Sequence, residues 1–139
     1  MVAEQPEVRR RTNEVRLKTR EGLRLMESSV LLTDDGIVEF DVNSEGTIVN
    51  RYAPFYFYQH ARYSAGLVRW PNHAKITTMR NPWMDFQSVN LGAICARYGG
   101  GGHQRVGSIV LDMDRQSQAA EILHTVVHDI RIEDQSSTT

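Results

Sequence analysis

The stretch that decides the fold is CARYGGGGHQRVGSIVL, residues 95–111. It places four glycines and a histidine between a segment of helical pattern and the strand-like segment Val106–Leu111. Each glycine loses much backbone entropy on folding, and one glycine is enough to end a helix. The run therefore indicates that the backbone comes very close to another group. Because a glycine loop can turn several N–H groups towards one anion, residues 99–103 are a candidate phosphate-binding loop.

The order of elements around this loop excludes two common phosphate-binding motifs. Here a helix precedes the loop and a strand follows it, whereas P-loop and dinucleotide-binding folds have the order strand, loop, helix. Neither GxxxxGK[ST] nor GxGxxG with a following acidic residue is present. His103, beside the glycines, can donate to a phosphate oxygen, and Arg105 lies two residues further on. The alternative interpretation is a flexible loop without a function.

Outward from the glycine run, the pattern predicts a single α/β (α+β) domain with a mixed sheet of about five strands flanked by helices. Strands are expected on both sides of a hairpin turn at residues 34–36, and at residues 63–70, 74–80 and 106–111. Helices are expected from Pro6 to about Ser28, within residues 50–60, from Phe86 to about Tyr98 with Asp85 as its cap, and from Gln116 to Ile130.

The chain of 139 residues suggests one folded domain. We predict that this domain covers residues 29–131 and that residues 132–139 form a frayed tail. Residues 1–28 are predicted to form a charged helix, which serves as an interdomain linker or is a solvated terminal helix.

The net charge of -1 hides a strong segregation of charge. Residues 50–111 carry seven Lys or Arg and one acid, Asp85, whereas the segments on both sides are net acidic. The same middle segment holds ten of the eleven aromatic residues, among them Trp70 and Trp83, which could stack on bases. A basic, aromatic-rich segment is typical of proteins that bind phosphates and bases. The alternative is that the rings form the core and the arginines lie on the surface.

The cysteine count and the short apolar runs exclude other classes of protein. A single cysteine, Cys95, excludes an internal disulfide and a cysteine-based zinc site, and we expect it to be a small buried residue. No apolar run is long enough to span a membrane, and the first residues hold no apolar stretch of signal-peptide length. We therefore expect a cytoplasmic protein with no membrane partner.

The glycine-histidine stretch resembles the signature of the DHH-associated domain, which is the C-terminal, substrate-binding domain of DHH-family phosphoesterases. Residues 99–102, His103 and Gly107 match the family pattern, and Val106 stands where many members have alanine. KITTMRNPW resembles the family's strand that ends in an arginine, here Arg80. NRYAPFYFY and YSAGLVRW resemble an exopolyphosphatase-related branch. The resemblance covers about residues 30 to 130.

The resemblance implies a cleft between this domain and a larger DHH domain, which holds metals, typically manganese, and hydrolyses phosphodiesters or phosphoanhydrides. The chain contains no Asp-His-His triplet. We therefore expect it to have no catalytic residues or metal of its own. The implied ligand is a short single-stranded nucleic acid, a nucleotide or polyphosphate. The candidate binding residues are Arg80, Gly100, Gly101, Gly102, His103 and Arg105.

Two alternatives of other classes remain open. A self-contained small phosphatase would use His103 with metal ligands among Asp112, Asp114, His124 and His128. The spacing favours a loop or helix-cap role for both aspartates and a solvated face for both histidines on the last helix. The other alternative is a structural or interaction domain whose glycine loop only turns a corner. Alanyl-tRNA synthetases and related editing proteins carry a version of the domain, but GGGGH and RNPW match the phosphoesterase branch better.

Overall fold

The computed structural model describes residues 16–17, 20–24, 29–33, 35–44 and 50–137. The strands are β1 Leu31–Leu32, β2 Ile37–Asn43, β3 Tyr63–Trp70, β4 His73–Arg80, β5 Gly101–His103 and β6 Val106–Leu111. The helices are α1 Ala53–Phe57, α2 Leu91–Ala96 and α3 Ala119–Ser137, which follows the 3-10 helix Met113–Gln118. Residues 20–24 are also helical, and most of the helix predicted over residues 6–28 lies outside the described residues. No helix in the described ranges combines the length and the apolar composition needed to cross a membrane.

The predicted α+β domain with a mixed sheet is confirmed, and the described residues form six strands in the order β1-β2-β3-β4-β6-β5. The strands β2 and β3 are parallel, and every other neighbouring pair is antiparallel. The predicted hairpin is confirmed as well, because Leu31 pairs with Glu39 across the turn. The sixth strand is β5, since the glycine run pairs with β6.

Both faces of the central strand β3 are buried, so the molecule has helices on both sides of the sheet. On one face Tyr63 and Leu67 lie in the larger core together with residues of α2 and α3. On the other face Phe40 packs with α1. A Cβ atom on Gly66 would lie 2.0 Å from the Phe40 ring, so the glycine makes room for that ring.

The helix predicted from Phe86 is shorter than expected. It begins at Leu91, and its N-cap is Asn90, whose side chain accepts the Ala93 N–H at 3.0 Å. The prediction that Asp85 caps this helix is wrong.

Side chains from the sheet keep residues 84–89 out of the helix. The Arg80 guanidinium donates to the carbonyl oxygens of Met84 and Phe86, at 2.5 and 2.7 Å. The Tyr63 hydroxyl accepts the Val89 N–H at 3.0 Å. Main-chain groups that would form helical hydrogen bonds are therefore occupied by side chains of β3 and β4.

The last helix extends to Ser137, so the frayed tail predicted from residue 132 is wrong for residues 132–137. Three polar contacts explain the difference. The Arg62 guanidinium donates to both carboxylate oxygens of Asp134, at 2.8 and 3.2 Å, and Tyr63 donates its hydroxyl proton to Asp134 at 2.9 Å. Arg97 also pairs with Glu133. The final turns are thus bound to β3 and to the end of α2.

We expect an alkaline loss of stability that depends on Tyr63. Burial, reinforced by the hydrogen bond to Asp134, raises the pKa of Tyr63 to about 12, from about 10 in an unfolded chain. The stabilisation is complete below the unfolded pKa and is lost as pH rises from about 10 to about 12. Denaturant unfolding across this range should show a slope that Tyr63→Phe reduces and the exposed control Tyr56→Phe keeps. An unchanged slope in Tyr63→Phe would contradict this assignment.

Candidate functional site

A cavity of about 240 Å³ opens where β4 ends and the β5–β6 turn begins. Among the described residues, its lining contains three arginines, one histidine and no acidic residue. The lining residues are Arg51, Tyr52, Met79, Arg80, Pro82, His103, Arg105 and Val106. Such a concentration of positive charge beside apolar walls is suited to a phosphate group. We call it the arginine cavity.

The β5–β6 turn brings two of the predicted residues to this cavity. Residues 104–105 connect the strands, and His103 pairs with Val106 across the turn. The Gln104 carbonyl accepts the Leu91 N–H at 3.0 Å, and the Arg105 carbonyl accepts the Arg80 N–H at 3.1 Å. The main chain is therefore fixed from both sides, while the side chains of His103 and Arg105 are exposed.

Arg80, a predicted binding residue, lines the arginine cavity, but its guanidinium also supports the following loop. Besides its bonds to Met84 and Phe86, it donates to the Asn81 carbonyl at 3.4 Å and lies 4.1 Å from the centre of the Phe86 ring. These three hydrogen bonds leave two of its five N–H groups for a ligand. Arg80 therefore contributes to the stability of the domain as well as to the cavity.

Arg80→Ala is therefore expected to lower the free energy of unfolding by about 2 kcal/mol, because it leaves partly buried carbonyl groups without a charged donor. Denaturant unfolding measures this change. His103→Ala is the matched control, since the exposed imidazole has no hydrogen bond within the described part of the chain, and we expect it to change stability by less than about 0.5 kcal/mol. Equal stability of the two variants would show that the Arg80 contacts contribute nothing.

The sequence interpretation missed Arg51 and Tyr52. The side chain of Asn50 accepts the Tyr52 N–H at 2.9 Å, which shapes the entry to α1. Arg51 then lies over the Tyr52 ring, 5.1 Å from its centre, and donates to its hydroxyl at 3.1 Å. The basic, aromatic composition of NRYAPFYFY is the signal that could have indicated this pair.

The glycines of the run are explained mostly by contacts within the protein. Gly99, with φ of 88°, lies in the turn that follows α2, and the Gly100 N–H donates to the Cys95 carbonyl at 3.0 Å. The predicted donation of that N–H to a phosphate conflicts with this bond. A Cβ atom on Gly100 would lie 2.1 Å from the Ser108 carbonyl oxygen, and one on Gly102 would lie 2.3 Å from that of Val106.

Gly101 differs from its neighbours, because a Cβ atom added there would meet nothing within 4 Å. No packing contact inside the described structure requires a glycine at this position. It adjoins Gly102 and His103 on the edge strand β5. None of the four glycines lines the arginine cavity.

The side chains considered for a metal site lie apart from the arginine cavity. Asp112 and Asp114 are exposed beside the 3-10 helix, and His124 and His128 are exposed on α3. The described residues contain no group of three His, Cys, Asp or Glu side chains that could hold a metal ion. Cys95 is buried as predicted, and burial raises the pKa of its thiol.

Comparison with solved structures identifies the fold. The pGpG-specific phosphodiesterase PggH from Vibrio cholerae matches with a TM-score of 0.67 and 18% identity, over 91% of this chain and 44% of that protein. An exopolyphosphatase-related protein from Bacteroides fragilis matches with a TM-score of 0.53 and 16% identity, over 80% of this chain and 35% of the other. The resemblance to the DHH-associated domain is confirmed at the level of the fold. No protein-family model and no curated protein sequence matches the chain.

A third solved structure contains a DHH domain by its description. It is described as a member of a family of ribosomal proteins and matches with a TM-score of 0.54 and 17% identity, over 86% of this chain and 32% of that protein. The chain with the DHH-associated fold thus spans less than half the length of each of these three proteins.

Proposed function

We propose that this chain is the substrate-binding, DHH-associated part of a phosphoesterase, and that it holds a phosphate of the substrate in the arginine cavity. The observation that carries the proposal is the lining of that cavity, where the described side chains include three arginines and a histidine but no carboxylate. The shared fold supports it, because one similar structure is described as a phosphodiesterase and another as exopolyphosphatase-related.

The residues around the cavity have different roles in binding the phosphate. His103 and Arg105 extend from the fixed β5–β6 turn, and their side chains have no hydrogen bond or ion pair with the described residues. They are therefore free to bind an anion. Arg51 lines the cavity from the entry to α1, and Arg80 offers its two remaining N–H groups. Charge-assisted hydrogen bonds from several guanidinium groups give a phosphate more affinity than neutral donors can.

The edge strand β5 extends this site. Because Gly101 has open space where a side chain would be, a ligand can approach the main chain closely there. Gly101 and Gly102 are consecutive in the antiparallel ladder, so only one of their two N–H groups points away from β6, and we assign that N–H to the ligand, whereas the Gly100 N–H stays with α2.

Hydrolysis belongs to a DHH domain that this chain would accompany in a longer protein, where manganese would activate water and stabilise the leaving oxygen. The ligand is a short single-stranded nucleic acid, a nucleotide or polyphosphate. Alone, the chain binds such a ligand and does not cleave it.

The test is a titration of the purified chain with a labelled short single-stranded RNA and with inorganic tripolyphosphate, at low and moderate salt. We expect salt-sensitive binding that weakens in His103→Ala and is unchanged in His128→Ala, a matched exposed histidine on α3. Parallel samples with manganese should show no cleavage. Absence of binding to both probes, or equal binding by the two histidine variants and the parent, would contradict the proposal. Cleavage that is lost in His103→Ala would place the chemistry in this chain instead.

A further inference from the structure

Two large aromatic side chains lie exposed beside the arginine cavity. Trp83 is 58% exposed and Tyr56 is 56% exposed, although both are large enough to be strongly driven into a core. The Trp83 ring centre lies 5.3 Å from that of Tyr56 and 6.2 Å from that of Tyr52. We call Tyr52, Tyr56 and Trp83 the aromatic patch. Tyr52 also lines the arginine cavity, so the patch and the cavity are continuous.

The loop that carries Trp83 is firmly held. Asn81 is completely buried, and its side-chain oxygen accepts the Trp83 N–H at 2.9 Å. The Asn81 amide donates to the carbonyls of Gln59 and Ala61, at 3.0 and 2.8 Å. On the other side of Trp83, the Arg80 guanidinium binds the next carbonyl along the chain. The exposed indole is therefore presented by a loop fixed at both ends, which reduces the entropy lost when a ligand binds.

Packing within the protein explains only part of this arrangement. The Trp83 ring covers the buried Phe55 edge-on, with ring centres 6.5 Å apart. More than half of the indole surface still faces solvent, and Tyr56 adds a second exposed ring. Exposed aromatic rings next to cationic side chains are how proteins bind single nucleotides, since the rings stack on bases while the cations hold the phosphate.

We propose that the aromatic patch binds the base of a nucleotide whose phosphate lies in the arginine cavity, so that the ligand is a nucleotide or oligonucleotide and not polyphosphate. This inference rests on the proposed function of the cavity. The geometry favours it because Pro82, which lines the cavity, is followed directly by Trp83, and successive Cα atoms are about 3.8 Å apart. Base and phosphate sites are therefore joined without an intervening side chain.

The experiment compares two probes, a 5′-phosphorylated dinucleotide and inorganic tripolyphosphate, on the full chain. We expect Trp83→Ala to weaken dinucleotide binding about tenfold, the range of one lost base stack, and to change tripolyphosphate binding less than about twofold. Trp83→Phe keeps most of the dinucleotide affinity because it keeps an aromatic face. Trp70→Phe, at the other tryptophan, is the matched control and should change neither probe.

Because Trp83 also covers Phe55, loss of its ring can disturb the fold as well as the binding of the base. Tyr56→Ala is therefore a second variant of the aromatic patch that leaves this contact intact. Thermal unfolding of each variant is recorded, and Tyr56→Ala should reduce dinucleotide affinity selectively in a protein that melts like the parent. An equal loss for both probes, or no loss for the dinucleotide in either variant, overturns the inference while the phosphate site stands. If the parent binds neither probe, the proposed function fails and this inference fails with it.

Discussion

Gly102→Ala is expected to destabilise the domain by about 3 kcal/mol, the combined effect of backbone strain and overpacking. Gly102 has φ of 139°, a conformation that side chains strongly disfavour. An added Cβ atom would lie 2.3 Å from the Val106 carbonyl oxygen and 2.8 Å from the Gly107 Cα atom. Both are backbone atoms of the paired strand, so β5 would have to separate from β6 to admit it.

The adjacent substitution Gly101→Ala supplies the matched control. Its Cβ atom meets nothing within 4 Å, so we expect a change within about 1 kcal/mol, and of stabilising sign if the loss of freedom in the unfolded chain dominates. Denaturant unfolding of both variants measures the contrast. Equal stability of the two variants would mean that the close approach of β5 to β6 is not required for folding.

The largest expected effect on binding comes from Arg51→Ala combined with Arg105→Ala. These two arginines approach the arginine cavity from different elements, and neither supports the loop as Arg80 does. Loss of each charge-assisted contact is expected to weaken phosphate binding about tenfold, and loss of both about 100-fold. The dependence of log affinity on log salt should become less steep by about one for each arginine removed.

Arg69→Ala is the control for net charge. Arg69 pairs with Asp41 at 2.9 Å on the other end of β3. Arg80, which lines the cavity, pairs with Tyr63 at the start of β3. Arg69 lies six positions further along β3, which corresponds to about 20 Å of strand. This variant should bind RNA and tripolyphosphate like the parent. A loss as large as that of either cavity variant would show that binding depends on the overall charge and not on the cavity.

The parts of the fold that local pattern predicts are those with local causes. The strands β3 and β4, the turn before β2 and the apolar stripe of α3 all follow from residues close in sequence. The strand β5 does not, because glycines carry no side-chain pattern, and its pairing depends on β6 and on contacts with Gly92 of α2. The start of α2 is not predicted because side chains of two strands, Arg80 of β4 and Tyr63 of β3, bind the main chain before it.

Like the fold, the candidate site can be predicted from the sequence only in part. The resemblance places Arg80, His103 and Arg105 in one cleft, and the structure brings all three to the arginine cavity. Arg51 escapes prediction because its position depends on the crossover from β2 to the parallel strand β3, which residue spacing alone does not reveal. The segregation of charge along the chain indicates which segment contains the binding site, but not that Arg51 is one of its side chains.

A second surface groove provides a contrast for locating the ligand. Its volume is about 250 Å³, and Glu39, Asp41 and His124 are among its lining residues. Because its described lining carries two carboxylates and no arginine, an anion should avoid it. The two sites are therefore distinguishable by position as well as by affinity.

The most direct test of the phosphate site is a backbone amide NMR titration of the chain with inorganic tripolyphosphate. We expect saturable shift changes concentrated at residues 51–52, 79–80 and 101–106. Changes centred on residues 39–41 and 120–124, or spread evenly over the surface, would contradict the assignment of the arginine cavity as the phosphate site.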